Sequence, residues 1–406
     1  MSKRVVVSAL VIALLALGAP AQAVVPQSAM LAKKKFPSCT KLLKAFPAGI
    51  ARDAAASEWA VAADFTPPRV SPRVYRLNAR KLDSNGLGVL CPQPVAVVGP
   101  EPHFEGLAQA LRAQGATCLV VRSGGRITGE WYWNGRTPAT QTIGFSTMKT
   151  VTGTLVASAN DLGALSLDQA ASDFIPSWNG TPSQDVTIRQ LLAMTSGRQN
   201  PANQVYDMVA SGNPTGYAVG LGQAAPPGTV WAYSDSAVQS LAAVLTAATG
   251  TDVVSFAQER LLEPLGMAST TLKAVPGGGA QMAFDYTTSC RDLSRLTQVY
   301  VDSGAFAGRQ LISSEYVQQA RSPGSTLRPN FGLLLWNNTP GAEGSTPGTP
   351  GDIFELRGSC GQTSVGFPSS GTVITVMTSY SSLFESLGCP QDGQEFANLI
   401  RTAGSA

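Results

Sequence analysis

The chain has 406 residues, 44% of them hydrophobic and 14% charged, with a formal charge of +3 at pH 7. That balance excludes a disordered chain, and with no basic stripe after residue 52 it argues against a nucleic-acid partner. A single histidine, His103, excludes a multi-histidine metal site and leaves a Ser-His-Asp triad only that one base.

Lys3 and Arg4 give a positive start, residues 5–17 are apolar, and Ala21-Gln22-Ala23 supplies a small-x-small cleavage pattern. This reads as a signal peptide over residues 1–23, hence a secreted or periplasmic protein. The alternative, an uncleaved anchor, is disfavoured because Gly18 and Pro20 end the apolar run. No cysteine follows to carry a lipid, and no later segment is apolar enough for a transmembrane span. Six cysteines in an exported chain suggest disulfides, whose connectivity the sequence alone does not choose.

Residues 24–35 read as a leader ending in Lys33-Lys34-Lys35. A short segment, residues 36–92, then opens on Phe36-Pro37-Ser38-Cys39-Thr40 and closes on Asp83-Ser84-Asn85-Gly86-Leu87-Gly88-Val89-Leu90-Cys91. So small a unit buries little surface, and a Cys39–Cys91 clamp would help it fold. With Pro47-Ala48-Gly49-Ile50-Ala51 in the middle and Asp-x-Asn-Gly at the end, the segment resembles the excalibur domain, a small extracellular module with an EF-hand-like loop. The resemblance makes Asp83 and Asn85 calcium candidates. Leu87 and Pro92 stand where the pattern has Asp and Glu, so little calcium affinity is expected. A disulfide-stapled turn is the simpler reading, and such a module could associate with the cell envelope.

Residues 93–104 read as a linker, and residues 105–406 as a second domain. Residues 104–114 have helical apolar spacing ending at Gly115. Residues 116–123, Gly124-Gly125 and residues 126–134 form a hairpin signature. Residues 339–351 are a Pro/Gly/Thr-rich loop, residues 372–380 a strongly β run, and residues 393–402 a closing helix. Strands at both ends with helices between predict an α/β layered fold with one antiparallel sheet.

The chemistry centres on Gly144-Phe145-Ser146-Thr147-Met148-Lys149. Val151, Leu155, Val156 and Leu162 recur at helical spacing before Gly163, so Ser146 starts a helix and Lys149 lies one turn behind on the same face. A serine hydroxyl needs a base, burial lowers a lysine pKa, and a helix N-terminus offers N–H groups to an oxyanion. The alternative is a capped helix with a solvated lysine. A second S-x-x-K, Ser38-Cys39-Thr40-Lys41, is discounted because it holds a candidate disulfide cysteine. Tyr132-Trp133-Asn134 precedes the serine and reads as strand-edge packing.

Company and order single out Ser146. Downstream lie Leu191-Leu192-Ala193-Met194-Thr195-Ser196-Gly197, Pro227-Gly228-Thr229-Val230-Trp231-Ala232-Tyr233-Ser234-Asp235 and Glu263-Pro264-Leu265-Gly266-Met267. With these landmarks residues 105–402 resemble the β-lactamase-related serine hydrolases, a group that spans class C β-lactamases, carboxylesterases and 6-aminohexanoate-dimer hydrolases. The resemblance implies a β-lactamase/transpeptidase-like fold: an antiparallel sheet flanked by helices, plus an all-helical region. It implies Ser146 as the acylated nucleophile, Lys149 and Tyr233 as proton relays, and no cofactor. The Tyr-x-Asn motif reads Tyr233-Ser234-Asp235 here, which places Asp235 among the substrate-binding candidates. No Lys-Thr-Gly occurs. Arg357-Gly358-Ser359-Cys360-Gly361-Gln362 stands in its place, with Arg357 for a substrate carboxylate and the Ser359 or Cys360 N–H for an oxyanion. The alternative is a glycine-bend strand opening with an exposed arginine. Cys360–Cys389 and Cys118–Cys290 are the candidate further disulfides. The expected substrate is a small-molecule or peptide-like ester or amide. The competing reading is a wall-associated penicillin-binding sensor that is acylated but turns over little.

Overall fold

The computed structural model describes residues 34–83, 86–275, 279–380 and 393–405. The expected export signal, residues 1–23, lies outside them, as do Asn85 and Cys389. Among the described residues no single helix is long and apolar enough to cross a membrane.

Helix α1 (Ala54–Ala62) lies in the N-terminal segment and α2 (Glu105–Ala113) leads into strand β1 (Ala116–Ser123). Gly124 and Gly125 both have positive φ, 55° and 78°, and turn the chain into β2 (Arg126–Tyr132). Then follow α3 (Met148–Asp161), α4 (Asp235–Thr249) and α5 (Cys290–Val301). The remaining strands come late: β3 (Trp336–Asn337), β4 (Phe354–Arg357), β5 (Thr363–Phe367) and β6 (Thr372–Thr378), before the closing α6 (Gly393–Gly404).

These six strands form one antiparallel sheet in the order β3-β4-β5-β6-β1-β2. The first hairpin of the domain thus pairs with the last strand, Val120 opposite Thr375. Both faces are covered, which is why β1 is buried at every position but its last. Leu119 and Val121 face Phe396 and Ile400 of α6 and Leu107 and Leu111 of α2. Cys118 and Val120 belong to the opposite, larger core with Leu293 and Leu296 of α5. Cys118–Cys290 fastens β1 to α5 across that core, with Cα atoms 6.5 Å apart. The fold is of the β-lactamase/transpeptidase type: an antiparallel sheet flanked by helices, plus a helical region built from α3, α4 and the shorter helices between them.

The N-terminal segment has the Cys39–Cys91 bond and a small core of its own around Phe36, Leu42 and Ile50. One face also packs on the larger domain. Ala56, Trp59, Ala60 and Ala63 join the main core. Trp59 Nε1 donates to the Pro264 carbonyl at 2.7 Å. Asp64, buried, accepts from Arg122 of β1 at 2.9 Å and from Arg295 of α5 at 3.0 Å. Residues beyond it continue this attachment, since Val95 N donates to Asp64 O and Val98 N to Glu130. In the loop expected to resemble a calcium site, Asp83 accepts from the Tyr75 hydroxyl and, at 3.1 Å, from Gly88 N. Among the described residues no cluster of three or more His, Cys, Asp or Glu side chains could hold a metal ion.

Candidate active site

Ser146 sits on a sharp turn made by its neighbours. Phe145 has φ +47°, in the left-handed region that a bulky residue rarely occupies, so the turn carries strain just before the serine. Gly144 gives the turn its room: a Cβ there would lie 2.2 Å from the Tyr286 ring. Gly358 does the same from the facing strand, since its Cβ would lie 2.5 Å from Gly144 O. Thr147 pins the turn, donating to Gly144 O at 2.8 Å and bonding the Tyr286 hydroxyl at 2.6 Å.

α3 begins two residues after the serine, and Lys149 points back along it. The amine is 2% exposed, which excludes the solvated-lysine reading. Its Nζ donates to Ser146 Oγ at 2.9 Å, to Asp235 Oδ1 at 2.5 Å and to the Ala283 carbonyl at 2.8 Å. All three ammonium protons are therefore placed. Burial pulls the amine down, but Asp235 and Tyr233 outweigh it and hold its pKa above the ordinary lysine value. The expectation that burial alone would neutralise Lys149 is corrected here: the carboxylate on the first turn of α4 keeps it charged. Asp235 is itself favoured at that helix N-terminus. Its Ser234 neighbour caps the helix, accepting from Ala237 N at 3.1 Å.

Tyr233 is held one residue before that cap, its ring centroid 4.7 Å from Lys149 Nζ. The Leu191–Gly197 motif explains its placement. Met194, at φ +60°, turns the chain so that its carbonyl accepts from Ala232 N and its sulfur from Ser234 N. Tyr233 also stacks on Trp336, with centroids 6.0 Å apart and planes at 18°.

Ser146, Tyr233, Arg357 and Ser359 line one cavity of about 330 Å³, so four of the residues picked from sequence converge. The backbone N–H groups of Ser146 and Ser359 have no acceptor among the described residues, as an oxyanion hole requires. Arg357 is bound by Glu355 and Gln394 and lies over Trp336, its guanidinium carbon 4.8 Å from the ring centroid. Burial alone would raise the Glu355 carboxyl; Arg357 and Arg401 outweigh it and keep it below the usual range. Asp235 does not line the cavity; it pairs with Lys149. Cys360 is buried, disulfide-bonded and at φ +62°, so any contact with substrate would come from its backbone. Its expected partner Cys389 lies outside the described residues. His103 is exposed in a turn before α2 and does not line the cavity. Tyr132 sits at the end of edge strand β2, bonded to Glu130 at 2.6 Å.

The sequence reading missed Arg328, Trp336 and Gln394, which complete the cavity. None lies in a motif with a spacing rule. Only the aromatic residue Trp231, inside a motif already noted, hinted at the ring cluster that Trp336 joins.

Comparison with known proteins bears on this arrangement. No curated protein matches the chain. Among solved structures, one named a 6-aminohexanoate-dimer hydrolase, from Bacillus anthracis, is similar at 20% identity and TM-score 0.60, covering 76% of this chain and 88% of that one. A penicillin-binding protein homolog from Caulobacter crescentus is similar at 17% identity and TM-score 0.59, covering 77% and 99%. A family VIII carboxylesterase is similar at 14% identity and TM-score 0.59, covering 75% and 98%. At such identities the likeness concerns the fold. The family model for beta-lactamase matches residues 101–386, more than half of the sequence and all of the serine cavity's catalytic candidates, so the chain belongs to the beta-lactamase family.

Proposed function

We propose that this protein is an exported serine hydrolase that cleaves an ester or amide through an acyl-enzyme on Ser146. The observation that carries the reading is the 2.9 Å bond from the buried Lys149 ammonium to Ser146 Oγ at the wall of an open cavity. A structural lysine would not need to end on a half-buried serine hydroxyl. The ammonium stabilises negative charge as it develops on Oγ. Tyr233, whose ring lies against that ammonium, acts from its phenolate form and takes the Ser146 proton as Oγ attacks the carbonyl. It returns the proton to the leaving group, and water then frees the serine by the reverse path. The oxyanion sits on the N–H groups of Ser146 and Ser359. Arg357 faces a substrate carboxylate, and Asp235 fixes the charge of Lys149. Export rests on Lys3, Arg4, the apolar run of residues 5–17 and the Ala21-Gln22-Ala23 pattern.

The test is turnover of p-nitrophenyl esters with Ser146→Ala as control. Loss of activity by roughly a thousandfold or more is expected, because the covalent route disappears. A fluorophosphonate should label the native protein and not the variant. Stable labelling with no steady turnover on any ester, amide or D-alanyl peptide would overturn the hydrolase reading in favour of a wall-associated sensor.

A further inference from the structure

The small formal charge of the chain, +3, hides an uneven distribution. Residues 34–83 hold ten Lys and Arg against four Asp and Glu, whereas residues 84–406 hold more acids than bases. All ten of those cations are exposed. The acids of the segment do not offset them. Asp64 is buried between Arg122 and Arg295, Asp53 pairs with Arg52, and Asp83 is taken by the Tyr75 hydroxyl, which leaves Glu58. Solubility calls for interspersed charge, and a surplus of one sign gathered on one small segment points to an anionic partner.

The surplus is most ordered along the helix Pro72–Leu82, whose first position is a proline that has no N–H to leave unpaired. Val74 and Asn78, four residues apart, are its buried side chains. Val74 joins the segment's own small core, and Asn78 Oδ1 accepts from Phe36 N at 2.6 Å. At 3.6 residues per turn Arg73, Arg76 and Arg80 share the opposite, outward face. Lys81 flanks them, and Arg69 lies on the short strand just before the helix. Among the described residues none of these five cations pairs with an acid. The sequence reading saw no basic stripe past residue 52 because apolar residues interleave this one, and only the helical period gathers it. Two apolar side chains stand out in the same stretch, Val70 at 46% exposure and Leu77 at 37%. Leu77 lies one turn from Arg73, Arg80 and Lys81. A hydrated polyanion gains nothing from an exposed valine and leucine. A lipid surface uses both features, cations at its headgroups and apolar side chains just beneath them.

We propose that the face of residues 69–81 docks the protein on an anionic lipid surface, with the arginines on headgroup phosphates and Val70 and Leu77 at the acyl boundary. The inference is independent of the hydrolase reading. No residue of the segment lines the Ser146 cavity, so docking does not occupy it. The net-acidic remainder of the chain is repelled by the same surface, which orients the molecule.

The test is sedimentation with vesicles of phosphatidylcholine, with and without about a third phosphatidylglycerol. The chain is used from residue 24 on, because the apolar run of residues 5–17 would enter lipid by itself. It should favour the anionic vesicles by about a hundredfold or more, and raised salt should release it. Replacing Arg73, Arg76 and Arg80 together by Gln should weaken that binding by about thirtyfold or more. Arg76→Glu alone, one exposed side chain, should cost about tenfold and serves if the triple variant does not fold. The same loss of charge from exposed sites on the larger domain, Arg112→Gln with Arg126→Gln and Arg309→Gln, should cost less than about threefold. Val70→Ser with Leu77→Ser, which leaves every charge in place, should cost about threefold. Equal binding to the two kinds of vesicle, or equal losses from the two triple variants, overturns the proposal. So does binding to soluble polyphosphate that matches the anionic vesicles while Val70→Ser with Leu77→Ser changes neither, since the partner would then be a hydrated polyanion.

Discussion

Asp235 replaces the asparagine of the Tyr-x-Asn motif, and the change is electrostatic rather than steric. Its carboxylate holds the Lys149 pKa above the ordinary 10.5, so the pairing is complete below that value and is lost only as pH rises through the higher folded one. In Asp235→Asn the burial of Lys149 is opposed by Tyr233 without the carboxylate, and the amine's pKa should fall. We therefore expect the alkaline limb of the kcat/KM profile to move to lower pH in the variant. A pH–rate profile that keeps its alkaline limb in place would show that Asp235 does not set the lysine charge. The neighbouring glycines test the turn itself. Gly144→Ala drives a methyl group into the Tyr286 ring, and an overpacked core of this kind typically costs about 1–3 kcal/mol. Urea denaturation would measure that cost, and a loss of turnover larger than the loss of stability would place the strain at the nucleophile.

Elements meet through buried charge as well as through apolar faces. Asp64 lies between Arg122 on β1 and Arg295 on α5, with Asp292 as a further partner of Arg295 at 2.5 Å. Burial would raise the Asp64 carboxyl, but Arg122 and Arg295 hold it below the usual range, so its contribution is present above the unfolded pKa and lost as pH falls. Asp64→Ala would leave Arg122, which is fully buried, without its carboxylate. Breaking one partner of such a pair costs about 3–5 kcal/mol, and equilibrium unfolding at neutral pH should show a loss of that order. A loss below about 1 kcal/mol would mean water or a neighbouring acid replaces it. At the far edge of the sheet Arg401 of α6 does the corresponding work, bonding Glu355, Gly344 O and Thr346 Oγ1. It ties the residue 339–351 loop to the strand that carries Arg357. Arg401 is thus a positioning residue for the cavity wall.

Over the whole molecule, the N-terminal segment and the larger domain share one core, so they should unfold together. Trp59, Ala60 and Ala63 would otherwise stand in water, and the Asp64 charges would be uncovered. We expect a single calorimetric transition for the full chain and a lower, broader one for a chain starting at residue 101. Two separate transitions in the full chain would show that residues 36–92 fold as an independent unit.

Much of this was legible in one dimension. The hairpin of β1 and β2, the helix behind Ser146, β6 and the closing helix all follow from periodicity and glycine punctuation, because local backbone preference and the alternation of apolar residues are properties of adjacent residues. The family resemblance carried by the motifs around Ser146, Lys149 and Tyr233 likewise pointed to one site before any distance was known. Three matters were decided only by tertiary packing: the charge of Lys149, the docking of residues 36–92 and the cation-rich cavity wall. Lys149 and Asp235 are 86 residues apart, and Asp64 and Arg295 are 231 apart. Arg328, Trp336 and Gln394 come from separate segments that carry no motif. Burial and pairing between distant residues set their energies, and no local pattern encodes which charges will share a low-dielectric interior.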